Sequence, residues 1–574
     1  MKKVIYSICI FMVVFLSLNS YCIASGPVIT NLTYDNITQT GVTVYWTTDS
    51  PADSRIRWMA PDSNYQALIF TDSIYNSASV TSHVIPITNL QPAKIYKYQI
   101  ASQNAGGTTL DSGYFITQSV STGRVEVYFN HSVDTTVSTG EKAKGNQNFE
   151  NLMISRIDSA QYSIDIAIYD FEYYNSIATA IINAKNRGVK IRFVNCSTPN
   201  TPLIDTLIAH GIPVIKRNYD TTHAMHNKFI IFDYRYNTNT NIKFLWTGST
   251  NVDHAQFNQD RNNVIVIQDE SLCALYTREF EEMWGSHTDM PIISRAKFGP
   301  MKVDNVPHIL NVAGTRMEVY FSPSDSVQNF FSNLILTKTT KSVFFCIYSF
   351  QLEQIEDAMH TLFNNGKQIK GVFDLTCSNE VRTVFRRMKG LSVPGAWNPP
   401  ADVYVDSTTG LLHHKYLIID ANSTAGNKIA VTGSYNWGLG FSYNNDENLL
   451  FIFSPRVNNL YYQEFYKRFR GAGGEAIGIQ NISSETPSKF SLSQNYPNPF
   501  NPTTNIQFSM CNYQFVTLKV FDMLGREIAT LVNEKLAPGS YKVTFNGMDY
   551  SSGVYFYRLT TNNFTDTKRM LLIK

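Results

Sequence analysis

His226-Asn227-Lys228-Phe229-Ile230-Ile231-Phe232-Asp233 and His413-His414-Lys415-Tyr416-Leu417-Ile418-Ile419-Asp420 are two copies of one pattern. Each places a histidine two positions before a lysine, runs on through apolar residues and closes on an aspartate. Positions i and i+2 share a face of an extended chain, and the apolar run is strand-like. Each histidine–lysine pair is therefore expected to project together from a buried strand. Both copies then reach a Gly-Ser-x-Asn tetrad, Gly248-Ser249-Thr250-Asn251 and Gly433-Ser434-Tyr435-Asn436.

The duplication extends upstream. Arg124-Val125-Glu126-Val127-Tyr128-Phe129 returns as Arg316-Met317-Glu318-Val319-Tyr320-Phe321, and the strand-like run Ser163 to Tyr169 returns as Ser342 to Tyr348. Helix-like stretches follow, Ile177 to Arg187 and Glu353 to Phe363, each ended by a glycine (Gly188, Gly366) and succeeded by another apolar strand. Strand–helix–strand units predict an α/β fold with a largely parallel sheet. Two copies predict a pseudo-twofold core over residues 124–472, with halves at about 124–300 and 316–472.

These residue types suit cleavage of a phosphodiester. The substrate is an anion that repels a nucleophile, so the site must neutralise its oxygens and protonate the leaving alkoxide. Lys228 and Lys415 supply positive charge, and Ser249, Asn251, Ser434 and Asn436 are candidate hydrogen-bond donors to phosphate. A neutral imidazole is a nucleophile and a charged one is an acid, so His226 and His413 together can hold both roles. No metal or other cofactor is expected: the cysteines lack paired C-x-x-C spacing and no acidic metal cluster is visible.

A duplicated H-x-K-x4-D with a duplicated G-S-x-N resembles the phospholipase D superfamily of phosphodiesterases. The spacing from Asp233 to Gly248, and from Asp420 to Gly433, exceeds the usual family pattern; Tyr236–Asn241 and Asn422–Asn427 read as enlarged hairpin loops. Aligning the tetrads without gaps sets Asn262 opposite Glu447. The resemblance implies that residues there orient the imidazole of the opposite half: Glu447 that of His226, and Asn262 that of His413. A carboxylate stabilises positive charge on imidazole, which favours His226 as nucleophile and His413 as general acid. The reverse assignment stays open, as does Asp260 acting as a local partner. Asp233 and Asp420 are expected to be supporting residues, and His223, His254 and His414 polar neighbours.

The flanks are of different character. Lys2-Lys3, the apolar run Val4 to Leu18 and Cys22-Ile23-Ala24 read as a signal peptide over residues 1–24. Residues 27–118 alternate in short strands, and Trp46, Leu90-Gln91-Pro92 and Tyr96-Lys97-Tyr98 resemble a fibronectin type III β-sandwich. Residues 473–488 read as a linker. From Phe490 through Asn495-Tyr496-Pro497-Asn498-Pro499-Phe500 to Lys574, the segment 489–574 resembles the C-terminal sorting domain of type IX secretion substrates. That resemblance implies a small β-sandwich, recognition by the secretion machinery, and a secreted or surface location.

The chain has 574 residues and a net charge of +2, from 48 basic and 46 acidic residues, so it lacks the overall basic footprint of a constitutive nucleic-acid binder. With 33 tyrosines and 36 phenylalanines it can bury large cores and offer a lipid-facing surface. Both halves lie on one chain, so a monomeric core is expected. The expected function is hydrolysis of a phospholipid head-group ester through a phosphohistidine. The alternatives are a metal-independent endonuclease of the same superfamily and an inactive surface-binding protein.

Overall fold

The computed structural model describes residues 26–60, 69–197, 202–218, 223–375, 382–423, 426–474, 479–483, 485–547 and 550–574. The expected signal peptide, with Cys9 and Cys22, lies outside the described residues, as does Cys377. Cys196, Cys273 and Cys346 are buried, Cys511 is half-buried, and all four are free thiols. Contacts divide the chain into a unit of residues up to Gln91 with Ile95–Phe115, and a unit of Pro92–Lys94 with Ile116–Lys574.

The first unit is a five-stranded antiparallel assembly. Its runs are longer than the short strands expected: Val42–Met59 and Phe70–Ile87 each pass through 18 residues. Both ends of Val42–Met59 pair with Phe70–Ile87, with the register slipping between Thr47 and Ala52; on its other edge the first end pairs with Ile29–Asp35 and the second with Ile95–Asn104. Trp46 is buried, donates from Nε1 to Ser102 at 2.9 Å and stacks on His83. The Tyr96 hydroxyl accepts the Gln91 N–H at 2.8 Å.

The central region is built twice. In the first half, seven strands lie in the order Val125–Phe129, Asn263–Gln268, Phe244–Gly248, Lys228–Phe232, Ser163–Ile168, Lys190–Ser197, Val214–Asn218. The second half repeats this order and adds Ile309–Val312 at one edge, giving eight strands. The sheets are mixed, not largely parallel. Among the described residues, only the strands joined through helices run parallel; the motif strands Lys228–Phe232 and Lys415–Ile419 return by hairpins and are antiparallel to both neighbours. A short connection reverses the chain, whereas a parallel partner needs a crossover.

Helices cover each sheet because their apolar residues recur at helical spacing. Ile177, Ile181 and Ala184 are buried in the first half, and Ile355, Met359 and Leu362 in the second. At one equivalent position the two halves differ in chemistry. Asp165 is buried between Arg192 and Arg235, taking two hydrogen bonds from each guanidinium. Phe344 stands there in the second half, stacked on Phe465 with centroids 5.0 Å apart.

The C-terminal region holds two four-stranded sheets enclosing Phe500, Ile506, Leu518, Tyr541, Tyr557 and Leu572. Ile479–Ser483, within the stretch expected as linker, is a strand paired antiparallel to Gly539–Asn546.

Candidate functional site

The histidines stand just ahead of their strands, on extended segments that each pair with the other half. Met225 bridges Asp446, and Leu412 bridges Arg261. The His226 N–H donates to the Asp446 carbonyl at 2.9 Å, and the Arg261 N–H donates to the Leu411 carbonyl at 2.7 Å. Asn445 and Asp260 reinforce these joints: their side-chain oxygens accept from the Ala224 and Leu411 N–H groups. Asp260 therefore fixes backbone and does not act as the local partner of His413.

Side chains complete the exchange. The Glu447 carboxylate is 2.8 Å from Nδ1 of His226, and the Asn262 amide oxygen is 3.0 Å from Nδ1 of His413. Lys228 Nζ lies 3.0 Å from Nε2 of His226. An ammonium only donates, so Nε2 carries a lone pair, and Nδ1–H points at Glu447. In the second half, Lys415 Nζ donates to the His413 carbonyl at 2.8 Å.

Burial comes first in setting the titration of the site. It holds His226 and His413 well below the ordinary histidine value, and the charges of both Lys228 and Lys415 push each of them further down. Both imidazoles thus feel lysines from both halves. Burial raises Glu447 to about 8 against the pull of the two lysines, and lowers Lys228 to about 8.

The tetrads support this arrangement from below. At Gly248 a Cβ would stand 2.2 Å from the Asn263 carbonyl oxygen, and at Gly433 2.2 Å from that of Asn448; both glycines have φ near +150°. The Ser249 hydroxyl gives its one hydrogen to the Asn262 oxygen at 2.8 Å, and Ser434, whose hydroxyl oxygen accepts the Asn448 N–H, acts on the Glu447 carboxyl to lower its pKa. Expected as phosphate donors, both serines are turned instead toward the groups that orient the histidines. The Asn251 oxygen faces the Asp170 N–H, and the buried Asn436 oxygen has no partner among the described residues.

The motif aspartates lie at the far ends of their strands. Asp233 and Asp420 each accept backbone N–H groups at the entrance to a neighbouring strand, Gln161 to Ser163 and Thr340 to Ser342. His414 is buried between Asn263 and Glu464 and forms part of the joint between the halves. His254 is exposed.

Three contributors were not singled out from sequence. Tyr169 and Tyr348 set their rings 4.9 Å from His226 and His413, and the adjacent lysine lies over each ring. They occupy matching ends of the repeated strand, which is the signal that could have found them. The third, Asp170, follows Tyr169 and is raised by burial to about 6, with the charge of Lys228 opposing. Its counterpart by the repeat is Ser349.

Residues 153–284 and 334–469 match the family described as "Cardiolipin synthase, PLD-like domain". The core is a duplicated phospholipase D-like domain. Residues 494–574 match the "Secretion system C-terminal sorting domain". The phospholipase D-like region is similar to mitochondrial cardiolipin hydrolases: 33% identical over 147 residues to that of Drosophila melanogaster (23% of this chain, 57% of the relative), and 25% over 130 residues to that of Mus musculus (23% and 52%). The chain thus spans a little over half the length of these relatives. Among solved structures, phosphatidylserine synthase of Haemophilus influenzae aligns with TM-score 0.40 and 12% identity, over 60% of this chain and 86% of the other. Nuc of Salmonella typhimurium aligns with TM-score 0.23 and 20% identity, over 28% and 98%.

Proposed function

We propose that the phospholipase D-like core hydrolyses a phosphodiester through a phosphohistidine, and that its substrate is a phospholipid head-group ester. One observation carries the reaction: each imidazole is oriented by the opposite half while both lysines act on it. Nε2 of His226 attacks phosphorus and the bond to the head-group oxygen breaks. His413 gives that oxygen its proton. In the second step His413 takes a proton from water, the hydroxide attacks phosphorus, and the P–N bond breaks. Burial and the two lysines keep both imidazoles neutral; a bound phosphodiester brings the negative charge that lets His413 acquire its proton. The carboxylate on His226, against an amide on His413, assigns the nucleophile to the side that must bear positive charge in the intermediate.

The phospholipid reading is supported by charge. Asp170, Glu172 and Asp253 lie close enough to interact on the first-half side of the site, which disfavours a long polyanion. The sorting domain supports export across the outer membrane to a secreted or surface location. The test is incubation of the purified chain, with chelator, against phosphatidylcholine, cardiolipin and single-stranded DNA. Head-group release is expected, abolished in both His226→Ala and His413→Ala, with radiolabelled phosphate trapped on His226. DNA cleavage without lipid turnover would favour the endonuclease, label on His413 would reverse the assignment, and full turnover in both variants would end the proposal.

A further inference from the structure

The two tetrads lead into equivalent short helices, His254–Asn258 and Leu439–Asn444. The ungapped alignment that pairs Asn262 with Glu447 also pairs His254 with Leu439 and Asn258 with Tyr443. In both helices these positions, one turn apart, face solvent. The first half fills them with polar groups, and Asn258 donates to the Tyr174 hydroxyl at 2.7 Å. The second half leaves Leu439 58% exposed and Tyr443 53% exposed.

The rest of this helix is anchored. Ser442 is buried, within 2.5 Å of the Tyr435 hydroxyl, and donates to the Gly438 carbonyl. Gly299 packs against the Asn444 carbonyl so closely that a Cβ would approach to 2.7 Å, and two residues on, Met301 is 58% exposed. The helix is thus a fixed element presenting an apolar edge. The next residue after its end, Asn445, accepts the Ala224 N–H, and Asp446 bridges Met225, so the helix leads directly into the segment that carries His226.

We infer that Leu439, Tyr443 and Met301 form a docking edge that seats this helix in the apolar layer of a phospholipid surface. This rests on the phospholipid reading above. The occupant follows from continuity with the site and from the comparison within the chain. The fold does not require apolar side chains here, since the equivalent helix carries His254 and Asn258. An edge of two aliphatic side chains and a tyrosine suits a lipid interface, where an aromatic body is buried while its hydroxyl stays wet.

The test transplants the first-half residues. The full chain and a Leu439→His/Tyr443→Asn variant are compared by flotation with phosphatidylcholine vesicles, and by turnover of vesicles, of monomeric short-chain phosphatidylcholine and of bis(p-nitrophenyl) phosphate. Vesicle binding is expected to weaken about tenfold or more, with vesicle turnover falling in step and both monomeric substrates cleaved at unchanged rates. A second variant, Met301→Ser, is expected to act in the same direction more weakly. Equal flotation of parent and transplant variant would overturn the docking edge, even with lipid turnover intact. Cleavage of bis(p-nitrophenyl) phosphate without cleavage of either lipid form would instead overturn the phospholipid reading, and flotation would still decide the docking edge.

Discussion

The carboxylate of Glu447, from the second half, is hydrogen-bonded to His226, from the first, at 2.8 Å. The mirror contact joins Asn262 to His413 at 3.0 Å. Neither half holds a complete site. The extended segments before the two motif strands are also paired across the joint, so fold and site are assembled by the same exchange. The two halves share one strand order, and at the position that orients each imidazole they differ, carboxyl against amide, which is where the two chemical steps need to differ.

Glu447→Gln tests that asymmetry. The amide keeps the size of the side chain but removes the group that burial holds protonated beside neutral His226 and that can turn anionic as an imidazolium forms there. Turnover is expected to fall roughly 10²-fold or more, with little change in KM and an unchanged melting temperature. Rapid-quench measurement of the phosphoenzyme should show slower formation. A loss of fold stability without a change in the rate of formation would assign Glu447 a structural role.

Asp165 is a structural counterpart, remote from the chemistry. It is buried between Arg192 and Arg235, both nearly inaccessible to water. Asp165→Asn leaves two buried guanidinium groups short of charge and is expected to destabilise by about 3–5 kcal/mol, read by denaturant unfolding. Replacing all three by apolar residues should cost less than the single change, because Phe344 fills the same position in the second half with an aromatic stack.

Much of this site can be read from sequence because the catalytic residue types recur at fixed spacing. The offset between the tetrads brings Asn262 onto Glu447, and the structure sets those two side chains on the opposite histidines. Other features depend on directions that spacing does not encode. Ser249 has a single hydroxyl hydrogen, and only the fold decides that it goes to Asn262. Tyr169 and Tyr348 read as the last residues of apolar strands until their rings are seen against the histidines. The mixed sheet follows from the hairpins Lys228–Gly248 and Lys415–Gly433, whose short connections outweigh the helical crossovers elsewhere. The strand Ile479–Ser483 is stabilised by a partner sixty residues later, Gly539–Asn546, and nothing local marks it.

The tetrad glycines give a sharper steric test. At Gly433 the backbone has φ +150° and a Cβ would fall 2.2 Å from the Asn448 carbonyl oxygen. Gly433→Ala must push that strand away from the tetrad, moving Ser434 from Glu447. A loss of about 2 kcal/mol or more is expected, with turnover reduced beyond what the unfolded fraction explains. Gly248→Ala should behave alike through Asn263, whereas Gly440→Ala, with open space around it, should be nearly silent.

Asp170 predicts a pH dependence with a definite sign. Its folded value of about 6 lies above the ordinary 3.8, burial being the main cause. The folded state therefore prefers the protonated carboxyl. Below the unfolded value the group is neutral in both states and costs nothing. As pH rises from 3.8 to about 6 the unfolded chain ionises this carboxyl while the folded state holds its proton, so stability is lost over that window and the deficit is constant above it. Asp170→Ser, which installs the residue found at position 349, should then stabilise by ~1–2 kcal/mol at about pH 8, after allowance for partial exposure, and by nothing measurable at about pH 3.5. Thermal unfolding across this range reads it directly. A gain that is equal at both ends would mean that charge at Asp170 is not the cause, and a loss at high pH would mean that its pairing with Lys228 outweighs its desolvation.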